Sequence, residues 1–361
     1  MLMLEKLRKQ MKNEQIEAYL LSGVENPMSS RNLHYVTKFT GSYGVAIVSM
    51  EDAYFISDFR YREQVALEVK EFDFVEVDTS LTKTIKDVIA RMGIKQVHFD
   101  PKITYQEYQT WEDLGVKLQA KGGLIESLRE QKTEDEIAKI EKACLITDEA
   151  LEYTLKQLKV GMTEREVEVI LKNKMIELGA DKTWDRFIVA SGVRGSMPHG
   201  MASDKKIAGG ELITFDIGCF YQGYSSDLTR TIAFGEISNK QKEIYDVVYE
   251  AQKRGVEASK AGVTGKELDI VCRQYITDMG YGEQFKHGTG HGLGLDVHEN
   301  PSVSFRNEEA LKEGACITIE PGIYIAGFGG VRIEDDVVLT KEGHKVLNTF
   351  PKELIVVPAK S

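Results

Sequence analysis

The chain has 361 residues, enough for two domains, and its hydrophobic content of 42% supports a full core. Its 46 basic and 57 acidic residues give a formal charge of −11, which argues against a nucleic-acid-binding protein. No stretch approaches the ~20 apolar residues of a membrane span, and charges interrupt the N-terminal segment before a signal-type apolar run forms. The cysteines lack CxxC spacing, which is typical of reduced core cysteines. We therefore expect a cytoplasmic protein that binds neither nucleic acid nor membrane.

Helix and strand signals alternate over residues 1–125, which is typical of an α/β unit. In chain order the sequence predicts a helix at LEKLRKQMKNEQI, a strand at AYLLS and a strand pair at YGVAIVSM and DAYFISD. It then predicts helices at VALEVK and LTKTIKDVIARMGI and a strand at QVHFD. Gly122 and Gly123 form the weakest point before the next long helix. We therefore place a small N-terminal α/β domain over 1–125 and a second domain over 126–361.

The second domain repeats itself. Thr133 with Glu136 and Ser238 with Gln241 are capping boxes that begin two long helices. Further matching landmarks lie about 101 to 104 residues apart: GMTEREVEVILKNKMIELGA with GVTGKELDIVCRQYITDMGY, and ITFD with ITIE. With only two copies, the pattern indicates an internal duplication of helix, helix and acid-bearing hairpin rather than a solenoid.

Each copy contains two acids in apolar, alternating sequence. ITFD ends on Asp216 and is followed by Asp227, while ITIE ends on Glu320 and is followed by Glu334. Like charges opposite one another destabilise a sheet, and buried carboxylates are costly unless they are paired or hold a cation. The alternation favours buried strands over solvated turns, so the four acids predict a site for two divalent ions.

The spacing of the acids predicts their pairing. A hairpin that turns around Tyr221–Gln222–Gly223 would place Asp216 and Asp227 nearly opposite one another. A hairpin centred at Gly327 would do the same for the acids of the second copy.

Three of the seven histidines, His287, His291 and His298, lie within HGTGHGLGLDVHE. A phosphate-binding loop is a weaker interpretation, because the strand–GxGxxG–helix context is missing. One histidine as a metal ligand, with the others in supporting or acid–base roles, accounts better for the cluster. Four oxygen donors and an imidazole favour Mn²⁺, with Co²⁺ or Zn²⁺ as alternatives.

Two further residues are candidates. Arg332 lies two residues before Glu334, on the same face of a strand, where it could neutralise the acids or hold a substrate carbonyl or carboxylate. His199 follows the strand-like RFIVASG, and taken alone it would belong to a loop without a role.

The segments DIG…SSDLTRT, HGTGHGLGLDVHE and EPGIYI…GVRIED closely resemble the proline-specific metallopeptidases, aminopeptidase P and prolidase. These share the pita-bread fold with methionine aminopeptidase and creatinase, and the resemblance covers the whole chain. It implies a dinuclear centre in which Asp216 binds one metal, His291 and Glu320 bind the other, and Asp227 and Glu334 bridge the two.

The resemblance also implies roles for the remaining residues. His199 and His298 would line the substrate site and stabilise the tetrahedral intermediate, and His287 is similar to a further site-lining position. Arg332 is similar to the arginine of the proline-specific branch, and Glu320 would shuttle the proton. The expected substrates are peptides with proline at the second position, and the expected assembly is a homodimer.

The family leaves alternatives. Methionine aminopeptidase usually lacks the N-terminal domain, and creatinase or a metal-free binding protein would lack metal ligands that are present here. Within the proline branch we expect an aminopeptidase, with a dipeptidase as the alternative. The segment Phe55–Gln64 resembles the shorter bacterial aminopeptidases P, in which a neighbouring subunit helps to wall the site. For Asp58, Arg60 and Tyr61 a plain strand-to-helix turn is equally consistent with the sequence.

Overall fold

The computed structural model describes residues 3–360. The chain divides into two compact units, the first ending at Arg129 and the second beginning at Glu130. The predicted boundary after residue 125 therefore falls within a short helix of the first unit. Within residues 3–360 no helix combines the length and the apolar character that crossing a membrane requires.

The first unit alternates helices and strands. Its elements are α1 Met3–Asn13, β1 Ala18–Ser22, α2 Pro27–Thr37, β2 Val45–Ser49, β3 Ala53–Ser57, α3 Arg62–Glu68, β4 Asp73–Glu76, α4 Leu81–Met92, β5 Gln96–Phe99, α5 Tyr105–Trp111, β6 Lys117–Ala120 and α6 Leu124–Arg129. The predicted elements are all present, while α2, β4, α5 and β6 lacked a clear signal. The strands form one mixed sheet in the order β4-β3-β2-β1-β5-β6, with β2 and β3 antiparallel as predicted.

The turn after β3 is held by local hydrogen bonds. Asp58 accepts the Arg60 N–H and so caps a 3-10 helix, Phe59–Tyr61. Arg60 also forms an ion pair with Asp58, with 2.7 Å between Nη2 and Oδ2, and more than half of its side chain is exposed. These contacts support the strand-to-helix turn interpretation of this segment.

The second unit contains the duplication. Its elements are α7 Glu134–Gln157, α8 Glu164–Glu177, β7 Lys182–Thr183, β8 Ile188–Ser191, β9 Glu211–Ile217, β10 Cys219–Tyr221, β11 Tyr224–Ser225, β12 Leu228–Phe234, α9 Asn239–Ala258, α10 Gly265–Asp278, β13 Gly290–Gly292, β14 Glu299–Val303, β15 Cys316–Ile319, β16 Gly322–Ile325, β17 Gly329–Arg332, β18 Asp335–Leu339, β19 His344–Val346 and β20 Val356–Val357. We call residues 133–234 the first copy and residues 238–339 the second copy.

The two copies share their helix starts. The predicted capping boxes of α7 and α9 are confirmed, and equivalent boxes begin α8 and α10, with the N-caps Thr133, Thr163, Ser238 and Thr264. In each box the N-cap hydroxyl accepts the N3 amide while the N3 side chain accepts the N-cap amide. Helices α8 and α10 have equal lengths of 14 residues. The repeat in the sequence is therefore a repeat in structure.

Each copy has its own layers of helix and sheet. In the first copy β12, β9 and β8 form a sheet, which the later strand β20 extends to the order β20-β12-β9-β8. In the second copy β14, β13, β15 and β18 form a sheet, which the later strand β19 extends, and β16 pairs separately with β17. Apolar side chains from α7 and α8 pack on the first sheet, and side chains from α9 and α10 pack on the second. This burial holds rigid the strand ends that carry the acids.

Candidate active site

The four acids lie where strands end or begin. Asp216 is near the end of β9, and Asp227 directly precedes β12. Glu320 directly follows β15, and Glu334 lies between β17 and β18. The hydrogen-bonded backbone beside each acid limits where its carboxylate can point.

The second hairpin has the predicted register. Strands β16 and β17 pair around Gly327, which has a φ of +75°, and Gly322 is opposite Arg332. The ladder of β15 and β18 continues the same register. Glu320 and Glu334 therefore face each other between two paired segments.

The first hairpin differs by one position from the register that a turn around Tyr221–Gln222–Gly223 predicts. Its turn consists of Gln222 and Gly223 alone, both with positive φ, at +48° and +82°. Two-residue turns of this kind match the twist of paired strands. They place Asp216 opposite Thr229, so Asp227 lies two residues before the position directly across the ladder.

His291 points its free nitrogen at the acids. Nε2 lies 3.6 Å from Asp227 Oδ2 and 3.3 Å from Glu320 Oε1. Nδ1 lies 3.1 Å from Gly292 O, and because a carbonyl can only accept, Nδ1 carries the proton. When the ring is neutral, this tautomer leaves Nε2 available as a ligand, whereas in the protonated ring Nε2 donates to Glu320. At Gly290 a Cβ atom would lie 1.9 Å from a carbonyl oxygen of β15, so only glycine allows this approach.

Three residues form a group that could hold a cation. Asp227, His291 and Glu334 each offer a ligand atom, and these atoms lie within 4.8 Å of one another. Asp227 Oδ1 and Glu334 Oε1 are buried without a hydrogen-bond partner. Burial, reinforced by neighbouring carboxylates, raises the pKa of Asp227 and of Glu334 well above the ordinary range. A divalent cation would relieve both costs, so the donor set fits the ions that the sequence predicts.

Arg332 is buried among the acids. Its Nη2 lies 2.5 Å from Asp216 Oδ2, and its Nη1 donates to Tyr324 OH at 2.7 Å and to Pro198 O at 3.3 Å. Burial raises the pKa of Asp216, and the charge of Arg332 partly offsets this effect. In this arrangement the guanidinium neutralises Asp216, one of the two roles that its position in the sequence suggests.

Glu320 is the acid that keeps its charge most readily. Burial acts to raise its pKa, but the hydrogen bond and charge of His291 outweigh burial, and the pKa is lowered to about 2. The same contact raises the pKa of His291 against the effect of burial. The Glu320 N–H donates to Thr289 O at 2.7 Å. Glu320 is therefore ionised at neutral pH, with its backbone held by Thr289.

The other histidines surround this group. His287 Nε2 lies 3.0 Å from Tyr324 OH, and the rings of His298 and His291 have centroids 4.1 Å apart. His199 lies in a loop after a short 3-10 helix. Burial lowers the pKa of His287 and of His298, so both are neutral at pH 7 and can donate a ring N–H.

A single cleft of about 770 Å³ contains all of the predicted site residues. Its lining includes His199, Asp216, Asp227, His287, His291, His298, Glu320, Arg332 and Glu334. Its lining also includes four apolar side chains, those of Trp184, Ile188, Met201 and Val297. Arg186 and Lys286 add two cationic side chains to the lining.

Three supporting residues of the site were not predicted from the sequence. Tyr324 joins Arg332 to His287, Thr229 Oγ1 donates to Glu334 Oε2 at 2.5 Å, and Asp336 Oδ2 accepts the Asp227 N–H at 2.9 Å. Each lies two or four residues from a predicted ligand, a spacing that keeps side chains on one face of a strand. The spacing of two or four residues from a predicted ligand was therefore the signal in the sequence that could have identified these residues.

Two family models match the chain. The model of metallopeptidase family M24 matches residues 138–341, and the model of the creatinase/prolidase N-terminal domain matches residues 3–131. A protein of Bacillus subtilis (strain 168) named "Uncharacterized peptidase YqhT" is 44% identical over 98% of this chain and 99% of its own length.

Solved structures resemble the fold over nearly its whole length. An Xaa-Pro dipeptidase from Bacillus anthracis has a TM-score of 0.95 and 42% identity, covering 98% of this chain and 99% of that one. An X-Pro aminopeptidase from Thermotoga maritima MSB8 has a TM-score of 0.90 and 37% identity, covering 97% of this chain and 100% of that one.

Proposed function

The chain belongs to metallopeptidase family M24, and from this premise we propose that it hydrolyses the bond before a proline at the second position of its substrate. The observation that carries the proposal is the convergence of four carboxylates and His291 in one cleft, with buried oxygens that lack partners. A metal-free binding protein has no use for such a costly cluster.

The proposed metal ligands are Asp216, Asp227, His291, Glu320 and Glu334. Two divalent cations bound there would lower the pKa of a shared water and polarise the scissile carbonyl. The oxygen-rich donor set with one imidazole favours Mn²⁺, with Co²⁺ and Zn²⁺ as alternatives.

The chain's own groups supply the remaining chemistry. Glu320, which is ionised at neutral pH, accepts the proton of the attacking water. Neutral His298 donates a ring N–H to the carbonyl oxygen as negative charge develops on it. His287 and Tyr324 hold Arg332 in place beside the acids, and His199 lines the substrate side of the cleft.

Selection for proline follows from the peptide bond itself. An X–Pro bond is a tertiary amide without an N–H, and the proline ring fixes φ. Trp184, Ile188, Met201 and Val297 give the cleft apolar side chains on which such a ring can pack without leaving a buried donor unpaired.

A dipeptide-restricted activity is favoured by a cationic group in the cleft. Arg186 is exposed, donates one hydrogen bond to Ala202 O at 3.3 Å, and forms no ion pair within the described residues 3–360. A guanidinium without an ion-pair partner suits the carboxylate of an Xaa–Pro dipeptide. The Bacillus anthracis protein named Xaa-Pro dipeptidase also supports this candidate.

The Xaa-Pro aminopeptidase expected from the sequence is the second candidate. It is favoured by the resemblance of Phe55–Gln64 to short aminopeptidases P and by the similar Thermotoga maritima protein named X-Pro aminopeptidase. A homodimer in the cytoplasm remains part of the proposal for either candidate.

A peptide panel tests both parts of the proposal. With Mn²⁺ present, release of the first residue is measured from Xaa–Pro, Xaa–Pro–Yaa and Xaa–Ala substrates that share the same first residue. We expect strong preference for proline, and hydrolysis of Xaa–Pro but not Xaa–Pro–Yaa would identify the dipeptidase. Equal rates with proline and alanine would remove the proline assignment.

A further inference from the structure

A buried carboxylate on α10 supports the active-site loop from behind the cleft. Asp269 has no exposed surface. Its Oδ1 accepts the Thr289 N–H at 3.1 Å and the Thr289 hydroxyl at 3.0 Å. Both of its oxygens also accept from Arg273, at 2.6 and 2.8 Å. Four donors therefore satisfy this carboxylate, although it does not line the cleft.

Arg273 extends the contact to a predicted site residue. Its Nη1 donates to Phe285 O at 2.8 Å, and its Nη2 donates to His287 O at 2.7 Å. The guanidinium also lies over the Phe285 ring, 4.4 Å from the centroid. The planar guanidinium thus fixes the carbonyls of Phe285 and His287, on either side of Lys286. These contacts set the backbone position at the start of the loop that carries the histidines.

Thr289 connects the same carboxylate to the proposed proton acceptor. Its amide and hydroxyl bind Asp269, while its carbonyl accepts the Glu320 N–H at 2.7 Å. Asp269 is therefore one hydrogen-bonded residue away from both Glu320 and His287. A shift of Thr289 would displace the backbone of Glu320.

We propose that Asp269 and Arg273 are positioning residues that hold His287 and Glu320 in their active arrangement. The proposal rests on the proposed function only for its kinetic readout, because the backbone arrangement can be measured without a substrate. Groups that orient ligands and acid–base residues in this way typically change activity about 10- to 100-fold when altered.

The duplication provides a matched control. In the first copy Glu168 and Lys172 occupy the equivalent helix positions, again four residues apart and with similar burial. Glu168 accepts the Phe187 N–H at 2.9 Å, and Lys172 donates to Asp185 O at 2.6 Å. This pair likewise fixes the start of a strand, and its hydrogen bonds flank Arg186 rather than a proposed metal ligand or acid–base residue, so its loss should act on KM and not on kcat.

The test compares Asp269→Asn with Glu168→Gln in the metal-loaded full-length protein. We expect kcat to fall about 10- to 100-fold in Asp269→Asn with KM little changed, and to stay near wild type in Glu168→Gln. Hydrogen–deuterium exchange should become faster over residues 286–291 and 317–322 in Asp269→Asn alone. Arg273→Lys keeps the charge but loses the fork, so it should reproduce both effects and serves if Asp269→Asn folds poorly.

Equal loss of kcat in Asp269→Asn and Glu168→Gln would overturn the proposal, since a general loss of stability would then explain both. Unchanged exchange over the two segments would also overturn it, whatever the substrate. A wild-type protein inactive on every Xaa–Pro peptide would instead contradict the proposed function and leave the exchange experiment as the test of positioning.

Discussion

Replacing Asp227 by asparagine should change stability in opposite directions with and without metal. Asp227 is 3% exposed, one of its oxygens has no partner, and burial together with Glu334 raises its pKa. An unsatisfied buried polar group costs about 1–3 kcal/mol, and a charged one costs more. In a chelator, Asp227→Asn keeps a polar atom at the unpartnered position but removes the charge, so its free energy of unfolding should rise by the extra cost of burying that charge, about 1 kcal/mol or more.

Saturating metal should reverse the order of stability. A ligand at about 100 times its Kd stabilises the folded state by about 2.7 kcal/mol, and the variant loses a ligand proposed to bridge both ions. For a unit of this size, 1 kcal/mol corresponds to roughly 2–4 °C in Tm. In scanning calorimetry, the variant should therefore have a higher Tm than the wild type in chelator. In Mn²⁺ the wild type should have the higher Tm.

The stability difference in chelator should also depend on pH. Because the pKa of Asp227 is raised on folding, lowering the pH protonates the folded wild type first and stabilises it. The advantage of the asparagine variant should therefore be largest at neutral pH and shrink as the solution becomes acidic. A variant that is less stable than wild type in chelator at pH 7 would refute the reasoning that the carboxylate is held at a cost.

Two arginines in the cleft give further tests. Arg332→Lys should lower kcat by about two orders of magnitude with little change in Tm. The lysine ammonium lacks the planar fork that donates to Asp216, Tyr324 and Pro198 O together. Parallel loss of activity and Tm would indicate a structural role. Arg186→Gln should raise KM for Xaa–Pro about 10-fold and leave Xaa–Pro-amide unaffected, because the charge-assisted bond is worth about 1.5–3 kcal/mol. Lys286→Gln is the matched control, and equal effects on acid and amide would exclude a carboxylate contact.

Local chemistry made much of the fold predictable. The capping boxes at Thr133 and Ser238 are complete within four residues of sequence, and the structure forms them as expected. The hairpin around Gly327 was predictable because its turn and both acids are symmetric about one glycine. Such features depend on neighbours in sequence, so the chain alone specifies them.

Features that depend on distant contacts were not predictable in the same way. The first hairpin differs from its predicted register because a two-residue turn at Gln222 and Gly223, in place of a three-residue turn, shifts every partner by one position. The link from Asp269 to Glu320 passes through Thr289 and joins three separate segments of the chain. A sequence shows each of these residues but not the hydrogen bonds between them.

The acids of the site come from both copies of the duplication, and hydrogen bonds join the copies at these acids. Glu334 donates its N–H to Thr229 O and accepts the Thr229 hydroxyl, so the second copy is hydrogen-bonded directly to the first at the metal ligands. Asp227 in turn donates its N–H to Asp336 of the other copy. Neither copy alone contains enough donors for two cations, since one supplies two carboxylates and the other two carboxylates and His291. The site therefore exists only where the two copies meet, because that is where these hydrogen bonds bring both sets of acids together.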